Sequence, residues 1–308
     1  MKIILAGGTG FIGKSLLEAL LREDHRVVLL TRTPGHPENS DPDRVATVTW
    51  DAKRAGAWAK EVDGAGAVIN LTGESIAAKR WSRAQKERIV QSRVGSVAAL
   101  AQAIERARSK PAVFINASAV GYYGNVDHEA AGEERPKGEG FLADTCQQWE
   151  AETVGVAKFG IRVVLLRLGV VLEQGGGAMA KIVPPFRFFL GGPLGSGKQW
   201  FPWVHRDDVV GAVLFALEHP ELAGPVNVTA PEMVNMKDFC GTLGRVMNRP
   251  SWAPVPAFML KLMLGEMSDM LLTGQRAVPE KLKRAAYPFK HPQLREALES
   301  ILNAGTSK

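Results

Sequence analysis

The first fourteen residues constrain the fold of this chain more than any other stretch. Residues 2–6 form an apolar run too short for a helix, a glycine cluster follows, and helical periodicity then begins at Phe11. This order predicts a buried parallel strand that turns directly into a helix. A second apolar segment, residues 26–31, closes a strand–helix–strand unit within about 30 residues. The N-terminus is therefore predicted to be a dinucleotide-binding α/β unit.

Three glycines spaced three residues apart have different tasks in this turn. We expect Gly7 to make the tight turn, Gly10 to let the backbone approach a pyrophosphate, and Gly13 to let the helix pack closely on the strand. The N-terminus of the helix attracts phosphate charge, because its N–H groups are unpaired and the helix dipole is positive there. The residues predicted to surround the cofactor phosphates are Gly7, Thr9, Gly10, Phe11, Ile12 and Gly13.

Composition favours a globular protein and argues against several other classes. A chain of 308 residues, 45% of them hydrophobic, can hold one large α/β domain or one domain plus a lobe. No segment runs for about 18 apolar residues without a break, so we predict no membrane span. Cys146 and Cys240 lie far apart without a Cys-x-x-Cys pattern or histidine partners. This predicts neither a disulfide framework nor a metal site, and it favours a reducing, cytoplasmic location.

The net charge of +6 does not indicate nucleic-acid binding. Lysines and arginines alternate with acidic residues, as in 85–88 and 280–284, instead of forming a basic stripe. A mildly basic surface suits an anionic cofactor and a small anionic or polar substrate. The predicted partner is therefore a small molecule.

The residue after the second strand indicates which dinucleotide is bound. NAD-binding folds place an acidic residue there for the ribose hydroxyls, whereas an arginine accommodates the 2′-phosphate of NADP. This chain has Arg32 and no acid at that point. The prediction is NADP, with a solvated surface arginine as the alternative.

A cluster of hydroxyl side chains follows a later strand. Further strands are predicted over 45–50, 67–71, 112–117 and 162–168. Ser118, Tyr122 and Tyr123 come just after the strand 112–117. Ligands of open parallel sheets bind outside the carboxyl ends of the strands, so these three residues are the candidate catalytic groups. The alternative is a turn with two packing aromatic side chains.

Several segments together resemble the extended and atypical short-chain dehydrogenase/reductase superfamily, its sugar-nucleotide epimerase group in particular. They are the Gly7, Gly10, Gly13 spacing, Ser92-Arg93-Val94, Tyr122-Tyr123-Gly124, and residues 140–150, 200–208 and 274–279. The chain is similar to an atypical branch described as nucleoside-diphosphate-sugar epimerases or cell-division-inhibitor homologues, which end in a short domain of unknown function. The resemblance spans essentially the entire chain.

The resemblance implies roles for further residues. It implies that Asp51 lies near the adenine, although Asp51 could equally cap the short helix that follows it. It implies a close backbone approach to the cofactor at Leu71, Thr72 and Gly73. It also implies that Ser118 binds substrate beside the nicotinamide.

One family feature is missing from this chain. Extended dehydrogenases carry Tyr-x-x-x-Lys in the helix before the strand 162–168, where the tyrosine is the acid/base and the lysine holds the ribose. With Glu150 as the anchor of the alignment, these positions are Leu142 and Cys146. The role of Cys146 in place of the lysine is open, and so is catalytic activity.

The sequence therefore predicts a Rossmann-type doubly wound parallel sheet with a smaller C-terminal lobe. The NADP-binding domain is predicted to span 1–170, with 201–230 returning to it, and the substrate lobe to span 171–200 and 231–308. The glycine- and proline-rich stretches after residue 170 indicate loops that leave the sheet.

The favoured function is an NADP-dependent oxidoreductase or epimerase acting on a small polar or nucleotide-sugar-like substrate. The alternative is a noncatalytic NADP(H)-binding regulatory or scaffold protein. The sequence identifies neither the substrate nor the oligomeric state, although helices flanking such a sheet often form homodimers.

Overall fold

The structure is a computed structural model that describes residues 1–33, 35 and 41–303. Within these residues the strands are β1 (Lys2–Ala6), β2 (Arg26–Thr31), β3 (Val45–Thr49), β4 (Ala67–Asn70), β5 (Val113–Ala119), β6 (Val126–Ala131), β7 (Arg162–Leu168), β8 (Val170–Leu172), β9 (Trp200–Phe201), β10 (Trp203–His205), β11 (Gly224–Val228), β12 (Val234–Asn235) and β13 (Gln275–Ala277).

The α-helices of the same residues are α1 (Gly13–Arg22), α2 (Arg83–Arg106), α3 (Phe141–Glu152), α4 (Val154–Ala157), α5 (Met179–Arg187), α6 (Arg206–Glu218), α7 (Met236–Met247), α8 (Ala257–Leu264), α9 (Asp269–Leu272), α10 (Glu280–Arg284) and α11 (Leu294–Asn303). Short 3₁₀ helices span Ala57–Val62, Val120–Tyr123 and Gly265–Ser268.

Seven parallel strands form the central sheet in the order β11-β7-β5-β4-β1-β2-β3. The order of the strands reverses between β1 and β4, so the chain winds outward in both directions from β1. This is the doubly wound arrangement, in which a crevice opens at the carboxyl ends of the strands beside the reversal. The predicted Rossmann-type α/β fold is confirmed, and the six predicted strands of this sheet begin and end within two residues of their predicted positions.

Helices cover both faces of the sheet, which explains why its strands are continuous apolar runs. Ile3 and Leu5 of β1 join the core beneath α1 and α6. Ile4 and Ala6 join the core beneath α2. Successive side chains of a strand point to opposite faces, so a strand buried on both sides has no polar alternation.

A third core lies outside the central sheet. It is formed mainly by the region from β8 to α5 together with α7 and α11, and Trp203, Phe186 and Phe239 are its largest fully buried side chains. Leu282 and Tyr287, which the sequence analysis places in the lobe, pack instead against the core of the main sheet. The C-terminal segment therefore contacts both parts of the molecule.

The N-terminus of α6 holds the C-terminal segment against the main sheet. The carboxylate of Asp208 accepts hydrogen bonds from the backbone N–H groups of Lys290 at 2.7 Å and His291 at 3.0 Å. The hydroxyl of Tyr287 donates to the carbonyl of Asp208 at 3.0 Å. A Cβ at Gly211 would lie 2.2 Å from that hydroxyl oxygen, so only glycine allows this approach.

His205 begins α6 as an uncharged cap. Its Nδ1 accepts a hydrogen bond from the backbone N–H of Asp207 at 3.0 Å, and its ring lies 3.8 Å from the ring of His291. Burial, followed by the charge of His291, lowers the pKa of His205 from 6.5 to about 4. As the pH falls from 6.5 toward 4, His205 therefore becomes protonated in the unfolded chain while it stays neutral in the folded chain.

Stability should fall as the pH drops through that window. We expect the parent to lose on the order of 2 kcal/mol more unfolding free energy between pH 7 and pH 4.5 than His205→Asn, because asparagine also caps a helix but does not titrate. Urea unfolding of both proteins at the two pH values measures the difference. Parallel losses in the two proteins would show that His205 does not carry this dependence.

Candidate cofactor and active site

The glycine turn after β1 fits a dinucleotide phosphate. Gly7 has a φ of +82°, and a Cβ there would lie 2.8 Å from the carbonyl carbon of Leu71. A Cβ on Gly13 would lie 2.2 Å from the carbonyl oxygen of Gly7. A Cβ on Gly10 would meet only that same oxygen, at 3.2 Å. Gly7 and Gly13 thus fix the backbone, whereas Gly10 leaves space where a ligand would lie.

The N-terminus of α1 faces this space without a capping side chain. Its first turn contains no acidic residue, and no side chain hydrogen-bonds its N-terminal N–H groups in the described structure. A phosphate is well suited to such an end, because it accepts from the N–H groups and interacts favourably with the helix dipole. Thr9 is exposed at the turn, and Phe11 packs against Gly176 and Gly177 of the loop after β8.

Arg32 and Asp51 lie on the β2 and β3 side of the glycine turn. Arg32 directly follows β2 and its side chain is exposed. The carboxylate of Asp51 accepts backbone hydrogen bonds from Lys53 at 2.9 Å and Arg54 at 3.2 Å, which lower its pKa. Asp51 therefore closes a turn before the 3₁₀ helix, whose own N-cap is Gly56. These local hydrogen bonds do not test whether Asp51 lies near the adenine, and that position stays a prediction.

The three residues after β4 reach the opposite side of the glycine turn. Backbone atoms of Leu71 and Thr72 are those that a Cβ on Gly7 would meet. The Asn70 side chain accepts a hydrogen bond from the N–H of Thr72 at 3.1 Å and so fixes the loop. The hydroxyl of Thr72 is buried and has no hydrogen-bond partner within the described residues. Gly73 follows and is exposed.

The three predicted catalytic hydroxyls come together in different environments. Ser118 donates a hydrogen bond to Oε1 of Glu150 at 2.6 Å. Tyr123 is fully buried, and its hydroxyl donates to Asn227 at 2.7 Å and accepts from Arg167 at 3.0 Å. Burial raises the pKa of Tyr123.

Tyr122 differs from its neighbour. It is only partly buried, and no residue in the described part of the chain hydrogen-bonds its hydroxyl. The guanidinium carbon of Arg167 lies 3.6 Å from the centre of its ring. Among the three candidates, Tyr122 is the one whose hydroxyl is left for a ligand.

The sequence analysis missed the buried ion pair that holds these groups. Arg167 donates from Nε to Oε1 of Glu150 at 2.9 Å and from Nη2 to Oε2 at 2.8 Å. We call Arg167, Glu150, Ser118, Tyr123 and Asn227 the Arg167 network. Burial lowers the pKa of Arg167, but the hydrogen bonds and charge of Glu150 outweigh it and raise that pKa overall. The available signal was Arg167 itself, which interrupts the apolar run 163–168 of strand β7.

The family's tyrosine and lysine positions hold groups without charge. Cys146 is a free, buried cysteine, and burial together with the charge of Glu150 raises its pKa to about 12. The thiol therefore stays protonated and uncharged. Leu142 packs against Gly121, where a Cβ would lie 3.3 Å from the leucine Cβ. Neither side chain is an ionised base near neutral pH.

One cluster of possible metal ligands is present, and the helices can be compared with the length that a membrane span needs. Ligand atoms of His205, Asp207 and His291 lie within 4.8 Å of one another in the described structure. The close, tilted packing of the two histidine rings and the capping bond of His205 already account for this arrangement. Across the described residues, every helix is too short or too polar to cross a membrane.

Comparison with known proteins places this site in a family. Residues 3–230 match the model of the NAD dependent epimerase/dehydratase family. The chain belongs to this family. Residues 255–301 match a domain of unknown function, DUF1731, so the resemblance drawn from the motifs is confirmed.

Relatives of similar length support the assignment. An epimerase family protein SDR39U1 homolog, chloroplastic, from Arabidopsis thaliana is 39% identical over 98% of this chain and 87% of its own length. Epimerase family protein ML0860 from Mycobacterium leprae is 38% identical over 96% of this chain and 94% of its own length.

Solved structures agree with the fold. Human epimerase family protein SDR39U1, crystallised with NADPH, is 32% identical, covers 98% of this chain and 99% of its own, and has a TM-score of 0.88. UDP-glucuronic acid 4-epimerase from Bacillus cereus, in complex with UDP-glucuronic acid and NAD, shares the fold at 20% identity. It covers 98% of each chain with a TM-score of 0.80.

Replacing Gly10 should remove nucleotide binding without unfolding the protein. A valine there would meet only the Gly7 carbonyl, so the turn can hold it, but its methyl groups would fill the space expected for the pyrophosphate. We expect Gly10→Val to weaken NADPH binding by at least about tenfold in calorimetry. Gly155→Val is the matched control, because nothing lies within 4 Å of a Cβ there. Unchanged affinity in a folded Gly10→Val protein would contradict the assignment.

Proposed function

We propose that this chain binds NADP(H) and acts as an oxidoreductase or epimerase on a small polar or nucleotide-sugar-like substrate. The glycine turn is the observation that supports cofactor binding. Gly7 and Gly13 fix its backbone, and the space beside Gly10 stays open for the pyrophosphate. The human relative crystallised with NADPH supports the same choice of cofactor.

Arg32 supports NADP over NAD. It lies at the end of β2, where the 2′-phosphate of an adenine ribose would be bound, and no acidic side chain within the described residues pairs with it. An exposed guanidinium can bind a phosphate through two parallel hydrogen bonds. Asp51, Thr72 and Gly73 would hold the cofactor on either side of the glycine turn.

Tyr122 supports a proton-transfer role. A bound nicotinamide supplies or accepts hydride, and such chemistry on a carbonyl or alcohol needs a proton donor or acceptor beside it. The Tyr122 hydroxyl is free in the described structure, and the guanidinium of Arg167 lies over its ring. Ser118 donates a hydrogen bond to Glu150 and is buried, so of the candidate hydroxyls it is held within the Arg167 network. Substrate would lie between the Tyr122 hydroxyl and the lobe.

A noncatalytic NADP(H)-binding regulatory or scaffold protein is the second candidate. It is favoured by the protonated thiol of Cys146 and the aliphatic side chain of Leu142, which leave the usual acid/base positions without proton-transfer groups. The hydroxyl of Tyr123 is already hydrogen-bonded to Asn227 and Arg167, which also favours the noncatalytic candidate. Turnover distinguishes the two candidates.

The remaining predictions concern location and assembly. Both cysteines are free and buried, which fits a reducing compartment, and the cytoplasm stays our prediction. A homodimer formed through helices that flank the sheet also stays a prediction. The division into a cofactor domain over 1–170 and 201–230, and a substrate lobe over 171–200 and 231–308, is proposed on the separate cores of the sheet and the lobe.

Arg32→Ala should reduce the preference for NADPH. One or two charge-assisted hydrogen bonds to the 2′-phosphate, at about 1.5–3 kcal/mol each, correspond to a loss of at least about tenfold in NADPH affinity. NADH affinity should change little. Calorimetric titration of both nucleotides gives the ratio, and an unaltered ratio would mean that another group binds the phosphate.

Tyr122→Phe should abolish turnover and leave NADPH binding intact. The measurement is NADPH-dependent reduction of a panel of carbonyl compounds, with NADPH affinity determined beside it. Tyr123→Phe is the matched control: it should keep turnover but lose about 1–3 kcal/mol of stability, because Asn227 loses its hydrogen-bond donor.

The outcomes separate the candidate functions. Parent-like turnover in Tyr122→Phe would exclude the proposed role of this tyrosine. Absence of turnover by the parent across the panel, with NADPH bound, would favour the regulatory or scaffold protein.

A further inference from the structure

The exposed apolar side chains of this protein are concentrated in two short segments. Of the twelve large apolar residues that the described structure leaves exposed, eight lie within 188–190 and 252–263. An aromatic side chain carries about 150–250 Å², so the four aromatic residues among these eight expose roughly 500 Å². The largest apolar patch on a typical monomer is already of that size, and such patches mark binding surfaces. We call these eight residues the apolar patch: Phe188, Phe189, Leu190, Trp252, Phe258, Met259, Leu262 and Met263.

Hydrogen bonds hold the two segments side by side. The backbone N–H of Trp252 donates to the carbonyl of Gly191 at 3.0 Å, and that of Val255 donates to the carbonyl of Pro193 at 3.0 Å. The indole N–H of Trp252 donates to the carbonyl of Phe189 at 3.0 Å. Helix α8, which contributes the last four residues of the patch, begins two residues after Val255. The members of the apolar patch therefore come from neighbouring segments of the surface.

Phe189 has an unfavourable backbone conformation within the patch. Its φ is +62°, in the left-handed region that bulky side chains rarely adopt. Burial of the ring does not offset this conformation, because Phe189 is 53% exposed. Backbone strain of this kind is concentrated at functional sites. The strained, exposed phenylalanine is consistent with a surface that binds a partner.

The two segments also account for the net charge of the whole chain. Residues 174–200 and 239–265 contain six lysines and arginines and no acidic residue. Removing these six from the 38 lysines and arginines of the chain leaves 32, against 32 acidic residues. The segments lie far apart in the sequence, so only the fold brings their charges together. The six cations, none of which forms an ion pair within the described residues, are Lys181, Arg187, Lys198, Arg245, Arg249 and Lys261.

Three of these cations directly adjoin the apolar patch. Arg187 precedes Phe188, and Lys261 lies within α8, and both side chains are exposed. The guanidinium carbon of Arg249 lies 4.6 Å from the centre of the Phe189 ring. The patch is therefore an apolar surface bordered by positive charge.

The combination of apolar area and unpaired positive charge indicates the chemistry of the partner. An anionic lipid surface offers acyl chains to the apolar side chains and phosphate groups to the cations, and aromatic side chains are favoured at that boundary. A second copy bound through the same patch would bring the cations of the two copies together, because a symmetric interface pairs a surface with itself. The charge therefore favours the lipid surface over a dimer.

We propose that the apolar patch binds an anionic lipid surface, with Phe258 and Leu262 of α8 entering the headgroup region and Arg187 and Lys261 contacting lipid phosphates. The protein would lie on this surface and not cross it, in keeping with the helices of the described residues. The inference is independent of the proposed cofactor and reaction.

Sedimentation with lipid vesicles tests the proposal on the full chain. Vesicles of three parts phosphatidylcholine to one part phosphatidylglycerol should bind the protein, whereas vesicles of phosphatidylcholine alone should not. Raising the salt concentration should weaken the binding, because salt screens exposed charges.

The charges are tested by a matched pair of variants. Arg187→Gln/Lys261→Gln should weaken binding to the anionic vesicles by about tenfold or more. Lys158→Gln/Lys283→Gln removes the same charge at exposed positions outside the two segments and should leave the binding nearly unchanged.

The apolar contacts are tested in the same way. Phe258→Ser/Leu262→Ser should also weaken binding by about tenfold or more, because both side chains lose their apolar contact with the acyl chains. Val154→Ser, at an exposed apolar position outside the patch, is the control. Phe258 and Leu262 are 70% and 78% exposed, so the variant should fold, and thermal unfolding followed by circular dichroism checks this. Leu262→Ser alone replaces the double variant if it does not fold.

The other outcomes would overturn the inference. They are equal binding to the two kinds of vesicle, binding to neither, and parent-like binding in the charge variant or in the apolar variant. A dimer in analytical ultracentrifugation that Phe258→Ser/Leu262→Ser converts to a monomer would assign the patch to a second copy of the chain instead.

Discussion

The buried pair of Arg167 and Glu150 is the interaction on which the site depends. Two charges removed from water are tolerated only when nearly all of their donors and acceptors are paired, because the desolvation penalty otherwise exceeds the Coulombic gain. Here two parallel hydrogen bonds join strand β7 to helix α3, and Ser118 and Tyr123 take up further bonding positions. The positions of both hydroxyls therefore follow from the requirements of the ion pair.

The same network extends to the C-terminal part of the chain. Asn227 of β11 accepts from Tyr123 and donates to the carbonyls of Ala131 and Val278 at 3.0 Å and 2.8 Å. The carboxylate of Glu133 accepts from the backbone N–H of Asn227 and of Lys281, each at 3.1 Å. One set of buried hydrogen bonds thus connects Tyr123 and Glu133 with Asn227 and the C-terminal segment. The C-terminal segment therefore helps to hold the site residues in place.

This arrangement distinguishes the two adjacent tyrosines. Tyr123 hydrogen-bonds buried partners, whereas no described residue hydrogen-bonds the hydroxyl of Tyr122, although the two rings are only 5.6 Å apart. On α3 the family's proton-transfer positions are a leucine and a protonated thiol. The cation of the network, Arg167, comes from β7 instead.

The sequence by itself determined the fold class, the glycine turn and the strand ends that carry the candidate residues, because these follow from apolar periodicity and from backbone conformations that only glycine adopts. Arg32 was found in the same way, by its place after a strand. The tertiary structure alone decided that Arg167 pairs with Glu150, and that the described residues hydrogen-bond the hydroxyl of Tyr123 and not that of Tyr122. Those properties depend on which distant segments the strand order and helix packing bring into contact, and no local pattern encodes such contacts.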